Sequence, residues 1–144
     1  MKAQLIYPIA GPKVAAIEVF QLTDANMCLI PENAQYGNYR IGVLKGTEFW
    51  VCYYGRSDNH DGGLRERVRE HIGDVTNKDE RIYDSSHFFW FNVVHSALDA
   101  YKQECEDYHT FMDIDGGNFV DNDIHPRVPD GMTGVTFCPI CGNR

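Results

Sequence analysis

Two short stretches of this 144-residue chain have the residue types and spacing of a metal site. Cys138 and Cys141 stand in Cys-x-x-Cys spacing with Gly142 just beyond, so one turn could present two thiolates to a single ion. Tetrahedral zinc needs two more ligands. Cys105 and His109, one helical turn apart, would face the same way and complete a Cys3His set that staples the tail onto a core helix. His125 competes as third or fourth ligand. With every position filled by protein, such a site is structural rather than catalytic. A redox-active cysteine pair and a free tail with unrelated thiols are the other readings. The first of these lacks the strand-to-helix setting that redox motifs need.

A second set of groups suggests acid–base and charge-stabilising chemistry. On a helical wheel, Glu104 falls within the apolar arc of Ala97, Ala100, Tyr101, Tyr108 and Met112. Burying an ionised carboxylate costs several kcal/mol unless a partner offsets it, so Glu104 needs an Arg, a metal ion or both. It is either half of a structural Glu–Arg pair or a functional carboxylate at the floor of a cleft, with a metal as partner and Arg67 nearby. Arg67 and His71 are also one turn apart. They flank the apolar stripe of Leu64, Val68 and Ile72, with Glu66 and Glu70 on the opposite, solvated side. Both lean into the crevice beside a sheet, as a functional pair or as a snorkelling Arg and a hydrogen-bonded His.

The elements that must hold these groups can be read in outline. Residues 39–44 and 49–54 are β-rich and separated by Lys45-Gly46-Thr47-Glu48, a hairpin signal. Strand alternation predicts Phe49, Val51 and Tyr53 on one face, and Tyr39, Ile41 and Val43 on one face of the other strand. A helix is expected over residues 64–72, stopped by Gly73, and a third strand over residues 88–94. Ser96 then caps a helix running to about residue 111, with Asp99 three residues on. Residues 14–22 form a strand or a short helix, and the segment after residue 112 is loop-like. These elements divide the chain into an N-terminal extension (1–35), a core (36–112) and a loop-rich tail (113–144).

Composition narrows the function classes. With 43% hydrophobic and 24% charged residues the chain is globular rather than disordered, and no run approaches the length of a membrane span. The N-terminus is a poor export signal because Pro8 and Pro12 interrupt it, and five cysteines, an odd number, favour a reducing, cytoplasmic setting. The formal charge of −8 counts against a nucleic-acid partner until it is divided. Residues 36–72 carry six basic and five acidic side chains, whereas residues 73–125 carry three basic and twelve acidic.

Taken together, these residues resemble the GIY-YIG nuclease family over roughly residues 36–122. Gly37-Asn38-Tyr39 is similar to its first motif and Tyr53-Tyr54-Gly55 to its second, with Arg56-Ser57 following. Arg67-x-x-x-His71 corresponds to the helical Arg and His, Glu104 to the metal-binding Glu, and Asn122 to a polar residue that closes the site. The middle Ile of each motif is replaced, and thirteen residues separate the motifs, which makes a longer hairpin than is usual in the family.

The resemblance implies an α/β core, a three-stranded antiparallel sheet flanked by helices, that hydrolyses phosphodiester bonds in DNA with one divalent metal. Tyr39 or Tyr53 would orient or deprotonate water, Arg56 and Arg67 would stabilise the phosphorane charge, and His71 would relay a proton. Glu104 would hold Mg2+ or Mn2+, separate from the structural Zn2+. The alternative is a zinc-stapled module that binds nucleic acid or protein without turnover, which the acidic 73–125 segment suits better. A DNA-cleaving reading carries the expectation of weak, salt-sensitive binding or delivery of substrate by a protein partner.

Overall fold

Two consecutive stretches rich in β-branched and aromatic residues build the centre of the molecule. In the computed structural model, which describes residues 1–6, 16–58, 60–74, 82–111, 120–122, 124–129 and 138–142, they are β4 (Tyr36–Lys45) and β5 (Glu48–Ser57). They run longer than the sequence predicts because the connection tightens to two residues and because pairing continues at the far end to Gly37 and Ser57. Gly46 takes φ 63°, a conformation glycine adopts without strain, which lets Lys45 and Glu48 pair directly. The third expected strand, Phe88–Val94, lies antiparallel to β4 on its other side.

The N-terminal residues enlarge this sheet. Three further strands, β1 (Lys2–Ile6), β2 (Ala16–Glu18) and β3 (Phe20–Gln21), precede the hairpin, so Phe88–Val94 is β6. The strand order is β2-β1-β5-β4-β6-β3, with β1 parallel to β5 and every other pair antiparallel. The sheet is therefore six-stranded and mixed, not three-stranded and antiparallel. The physical reason is that β5 and β6 would otherwise each present an open row of N–H and C=O groups, which β1 and β3 cover in part. Of the segment expected at 14–22, residues 16–18 and 20–21 are strand, and 14 and 15 lie outside the described residues. A 3-10 helix (Ala25–Leu29) carries Met27 into the core beside Ile30 and Leu22, so the described part of the N-terminal extension packs with the rest.

One irregularity changes which side chains share a face. Ile41 pairs with Tyr53 but Gly42 pairs with Val51, so Cys52 is an extra residue in β5. This β-bulge breaks the expected alternation. Phe49 and Val51 pack in one core cluster with Tyr54, while Tyr53 and Cys52 pack in the other with Tyr39 and Ile41. Phe49, Val51 and Tyr53 thus do not share a face. The two tyrosines do, because the extra residue carries Tyr53 over to the face of Tyr39.

Two helices complete the frame. α1 (Gly63–Arg69) seats Leu64 and Val68 in the cluster containing Tyr39, and the chain tightens through His71 and Ile72 before Gly73 turns it at φ 89°. α2 (Ala97–Phe111) begins as expected at Ser96, whose hydroxyl accepts from the Asp99 N–H at 3.1 Å. α2 packs on β4 and β5 from the side of Asn38 and Arg40, residues that alternate with Tyr39 and Ile41. The Asn38 amide donates to the Ala100 carbonyl at 2.9 Å. Arg40 forms a two-pronged pair with Asp107, at 2.7 and 3.2 Å, beneath the Trp90 ring. Met112, expected at the end of the apolar arc of α2, lies outside the described residues.

Candidate active cleft and metal centre

β1 covers β5 only at Glu48, Phe49 and Trp50, so the far half of β5 has an edge that β1 does not reach. A cleft of about 710 Å³ runs along that edge. Four consecutive residues, Tyr53 to Arg56, line it. Because consecutive strand residues point to opposite faces, groups from both sides of the sheet reach the cleft around this edge. Arg67 comes from α1, Glu104 from α2, and Asn122 and Arg127 from the loop-rich tail.

The hairpin brings the two glycine–tyrosine motifs side by side. Gly37 pairs with Ser57, Asn38 with Arg56, and Tyr39 with Gly55. The Tyr39 ring lies across Gly55 so closely that a Cβ there would fall on the phenol oxygen. At Gly37 a Cβ would meet the Asn92 carbonyl at 2.5 Å and the Leu64 side chain at 2.6 Å. Each motif glycine therefore answers a packing demand: one admits α1 and the other admits Tyr39.

Behind the cleft wall, Tyr39 is fully buried, and its hydroxyl is 2.7 Å from His71 Nε2. Tyr53 stacks on Tyr39 with centroids 6.2 Å apart and lies 4.8 Å from the His71 ring. Burial, opposed by the Arg67 charge, lifts both phenols above the usual tyrosine range. Both are neutral in this arrangement. Burial, with Arg67 adding to it, holds His71 down at about 4, so its imidazole is neutral at pH 7. Neutral Nε2 can then accept the Tyr39 proton, with Nδ1 turned to Asp74 at 3.8 Å. Each of Tyr39, Tyr53 and Arg67 lies within electrostatic reach of Glu104.

Glu104 sits 3.7 Å from Arg56, which also donates to Asp58 at 2.8 Å and to the Arg127 carbonyl. Burial raises the Glu104 carboxyl to about 7, with Arg56 opposing and Asp107 and Asp58 adding to the rise. The folded protein therefore keeps a proton that the unfolded chain releases near pH 4.5, and stability falls as pH rises from about 4.5 to 7. His71 has the opposite sign. Its pKa drops from 6.5 to about 4 on folding, so stability climbs as pH rises through that window. Glu104→Gln removes the first contribution and leaves the second. Without added Mg2+ or Mn2+, the variant should melt a few degrees above the wild type near pH 8 and gain Tm steadily between about pH 4 and 6.5. Thermal denaturation across that range measures both effects. A variant that melts lower at pH 8 would mean that the Arg56 pair outweighs the burial cost.

Asn122 lines the same cleft but spends its amide on the backbone. Its Oδ1 accepts from the Tyr54 N–H at 3.2 Å and its Nδ2 donates to the Tyr54 carbonyl at 2.8 Å. Next to it, the Asp121 N–H donates to the Cys52 carbonyl at 2.7 Å, and the Tyr83 hydroxyl donates to the Asp121 carboxylate at 2.6 Å. Residues 121 and 122 thus satisfy Cys52 and Tyr54 on the part of the β5 edge that β1 does not reach, and both line the cleft.

The second group of donors meets at the far end of α2. His109, His125, Cys138 and Cys141 bring their ligand atoms within 4.8 Å of one another, a group that can hold a metal ion such as zinc. Cys138 Sγ is 3.4 Å from His109 Nε2, and Cys141 Sγ is 3.4 Å from His125 Nε2. The set is therefore His2Cys2, with His125 in the position first given to Cys105. Cys105 is fully buried against Tyr101 and Cys138, and burial pushes its thiol up to about 12, so it remains a thiol in the core. Burial also acts to raise Cys138, but backbone N–H groups of Cys141 and Ile140 more than offset it and lower that thiol to about 6. The His125 Nδ1 donates to the Pro126 carbonyl at 2.8 Å, which leaves Nε2 as the donor for a metal.

None of the five cysteines is in a disulfide, and no helix of the described residues is long and apolar enough to cross a membrane. The Arg40–Asp107 pair was missed at the sequence level because its members are far apart in the chain and each looks like an ordinary surface charge. Arg127 and His60, which also line the cleft, carried no local motif that would mark them. No protein-family model, curated protein or solved structure matches this chain.

Proposed function

We propose that the chain is a metal-dependent endonuclease of GIY-YIG type that hydrolyses phosphodiester bonds in DNA. The observation that carries this reading is the gathering of Tyr53, Arg56, Arg67 and Glu104 at one cleft, with the Tyr39–His71 pair directly behind Tyr53. The four cleft residues come from three separate elements, β5, α1 and α2, and Tyr39 adds a fourth, β4. A scatter of unrelated surface groups would not produce this convergence.

The residues suggest a division of labour. Tyr53, which lines the cleft, holds the attacking water; as that water loses its proton to the Tyr53 oxygen, Tyr53 passes its own to Tyr39 and Tyr39 to His71 Nε2. Neutral His71, held near 4, is free to accept that proton at physiological pH but releases it readily. Arg56 and Arg67 face the phosphoryl oxygens where negative charge develops. Among the described residues the Glu104 carboxylate has one cation within ion-pair distance, Arg56 at 3.7 Å, beyond hydrogen-bond distance, so its oxygens suit a divalent cation. When bound there, Mg2+ or Mn2+ supplies Lewis-acid stabilisation of the leaving oxygen. A structural Zn2+ at His109, His125, Cys138 and Cys141 is a separate part of the same reading, as is a cytoplasmic location for a protein with free thiols.

Purified protein is tested on labelled single-stranded, duplex and branched DNA with Mg2+ or Mn2+. Cleavage by the wild type, and its loss in Glu104→Gln, is the expected result. Wild-type protein inert on all three DNA forms with either metal overturns the reading. The acidic stretch over residues 73–125 favours one competitor, a zinc-stapled binding module. That competitor predicts DNA or protein binding that Glu104→Gln leaves unchanged, and no turnover.

A further inference from the structure

We propose that Arg127 is a third substrate-binding cation of the cleft, contacting a phosphate next to the one cleaved, and that the His109–His125–Cys138–Cys141 centre sets its position. This rests on the nuclease reading of the cleft and adds a residue that neither motif contains.

The charges around the cleft differ in what they already engage. Arg56 is tied to Asp58 and Glu104, and Arg67 approaches Glu70 at 3.9 Å. Arg127 lines the cleft and is solvent-exposed, and among the described residues it has no acidic partner. In a chain with eight more acidic than basic charges, a cation that lines a polar cleft and has no carboxylate partner among the described residues is conspicuous. The complementary charge is supplied by the ligand, and a polyanion with regularly spaced phosphates offers it at a second site beside the scissile one.

Arg127 is also attached to the rest of the site through its backbone. Its carbonyl accepts from Arg56 Nη2, so the segment bearing Arg127 helps orient a residue that faces Glu104. Two residues earlier, His125 reaches the metal group through Nε2 while its Nδ1 donates to the Pro126 carbonyl. Pro126, between them, is buried and lines the cleft. An ion that joins His109 of α2 to His125 therefore anchors the start of a two-residue span that ends at Arg127. Glycine is absent from residues 125–127, and a proline sits in the middle, so little conformational freedom separates anchor from cation.

The experiment compares wild type, Arg127→Gln, Arg127→Lys, Arg67→Gln and His125→Ala. Zinc content is read by metal analysis. Binding of fluorescein-labelled single-stranded, duplex and branched DNA is read by anisotropy over a salt series, with Ca2+ replacing Mg2+ to suppress turnover. Arg127→Gln should bind about tenfold more weakly, lose about one unit of salt slope, and keep its zinc. Arg127→Lys should retain most of the slope. His125→Ala should lose the zinc and weaken binding at least as much as Arg127→Gln. Wild-type binding and slope in Arg127→Gln, alongside weakened binding in Arg67→Gln, would overturn the inference and leave the nuclease reading standing. Wild-type affinity in a zinc-free His125→Ala would overturn the role of the metal centre. Wild-type protein that binds no DNA form and cleaves none would overturn inference and nuclease reading together.

Discussion

Arg67→Ala should lower metal-dependent DNA cleavage by about 10²–10³-fold, the scale on which removal of one preorganised donor acts at a developing charge. The expectation rests on where Arg67 sits relative to other charges. It is about one-third exposed on α1, interacts electrostatically with Tyr39, Tyr53 and Glu104, and among the described residues has only Glu70, 3.9 Å away, as an acidic partner within ion-pair distance. Its guanidinium is therefore available to the substrate, and its loss should act on turnover more than on folding. Leu64 and Val68, not Arg67, carry the packing of α1. The Arg67 charge is also what opposes burial at Tyr39 and Tyr53, so removing it should raise both phenols further and help to hold His71 less far down. The measurement is single-turnover cleavage with a parallel melting curve. Unchanged turnover in a well-folded variant would remove Arg67 from the mechanism.

Asp107→Ala should destabilise the protein by about 3–5 kcal/mol, because it leaves Arg40 buried and unpaired. The side chains of Arg40 and Asp107 are only 10% and 3% exposed. Asp107 accepts both prongs of the guanidinium and a third bond from Gln103 at 3.2 Å. The Arg40 guanidinium is further held 4.2 Å from the Trp90 ring centroid. Few groups elsewhere in the described core are so completely committed to each other. Replacing both members with apolar residues, as in Arg40→Met with Asp107→Leu, should recover much of the loss, since no charge is then left without a partner. Chemical denaturation of the single and double variants measures the effect. A single-variant loss under about 1 kcal/mol would mean that water reaches Arg40. Asp107 also adds to the rise of the Glu104 carboxyl, so any cleavage retained by Asp107→Ala should show its acidic limb at lower pH.

The difference between these two sites explains what could be read from the chain. Arg67 and Glu104 lie on helices, and His71 in the tight turn that continues α1, where a residue's angle relative to its apolar neighbours is set by a near-fixed repeat. Their lean toward the sheet was legible from Leu64, Val68 and Ile72, and from Tyr101 and Tyr108. The capping of α2 by Ser96 was legible for the same reason, since a cap is a contact between neighbours in sequence. Asp107 on that same helix carried no such local signal. Its burial depends on Arg40, a residue on β4 that sequence distance hides.

The strands were less faithful to their pattern. Tyr39 and Tyr53 face the same side, as expected, but Phe49 and Val51 do not join Tyr53. One extra residue at Cys52 reverses the phase of everything before it, and no local signal distinguishes Cys52 from its apolar neighbours. The metal group shows the same division. Cys138 and Cys141 are close in sequence and His109 is on a helix face, so all three were legible. The choice of His125 over Cys105 depended on how the tail returns to α2 and on Cys105 being turned into the core against Tyr101.

The sequence by itself determined the local periodic features: the hairpin, the two helices with the faces of Arg67, His71 and Glu104, and the Cys-x-x-Cys turn. Only the tertiary structure decided the six-stranded order, the bulge, the Arg40–Asp107 pair, the His125 ligand and the arrival of Arg127 beside Arg56. The physical reason is one of range. Helix faces, caps and turns follow from the stereochemistry of a few consecutive residues. Edge covering, charge pairing across the sheet and the closing of a four-donor group depend on which distant segments compete for the same buried space, and that competition is settled only when the whole chain packs.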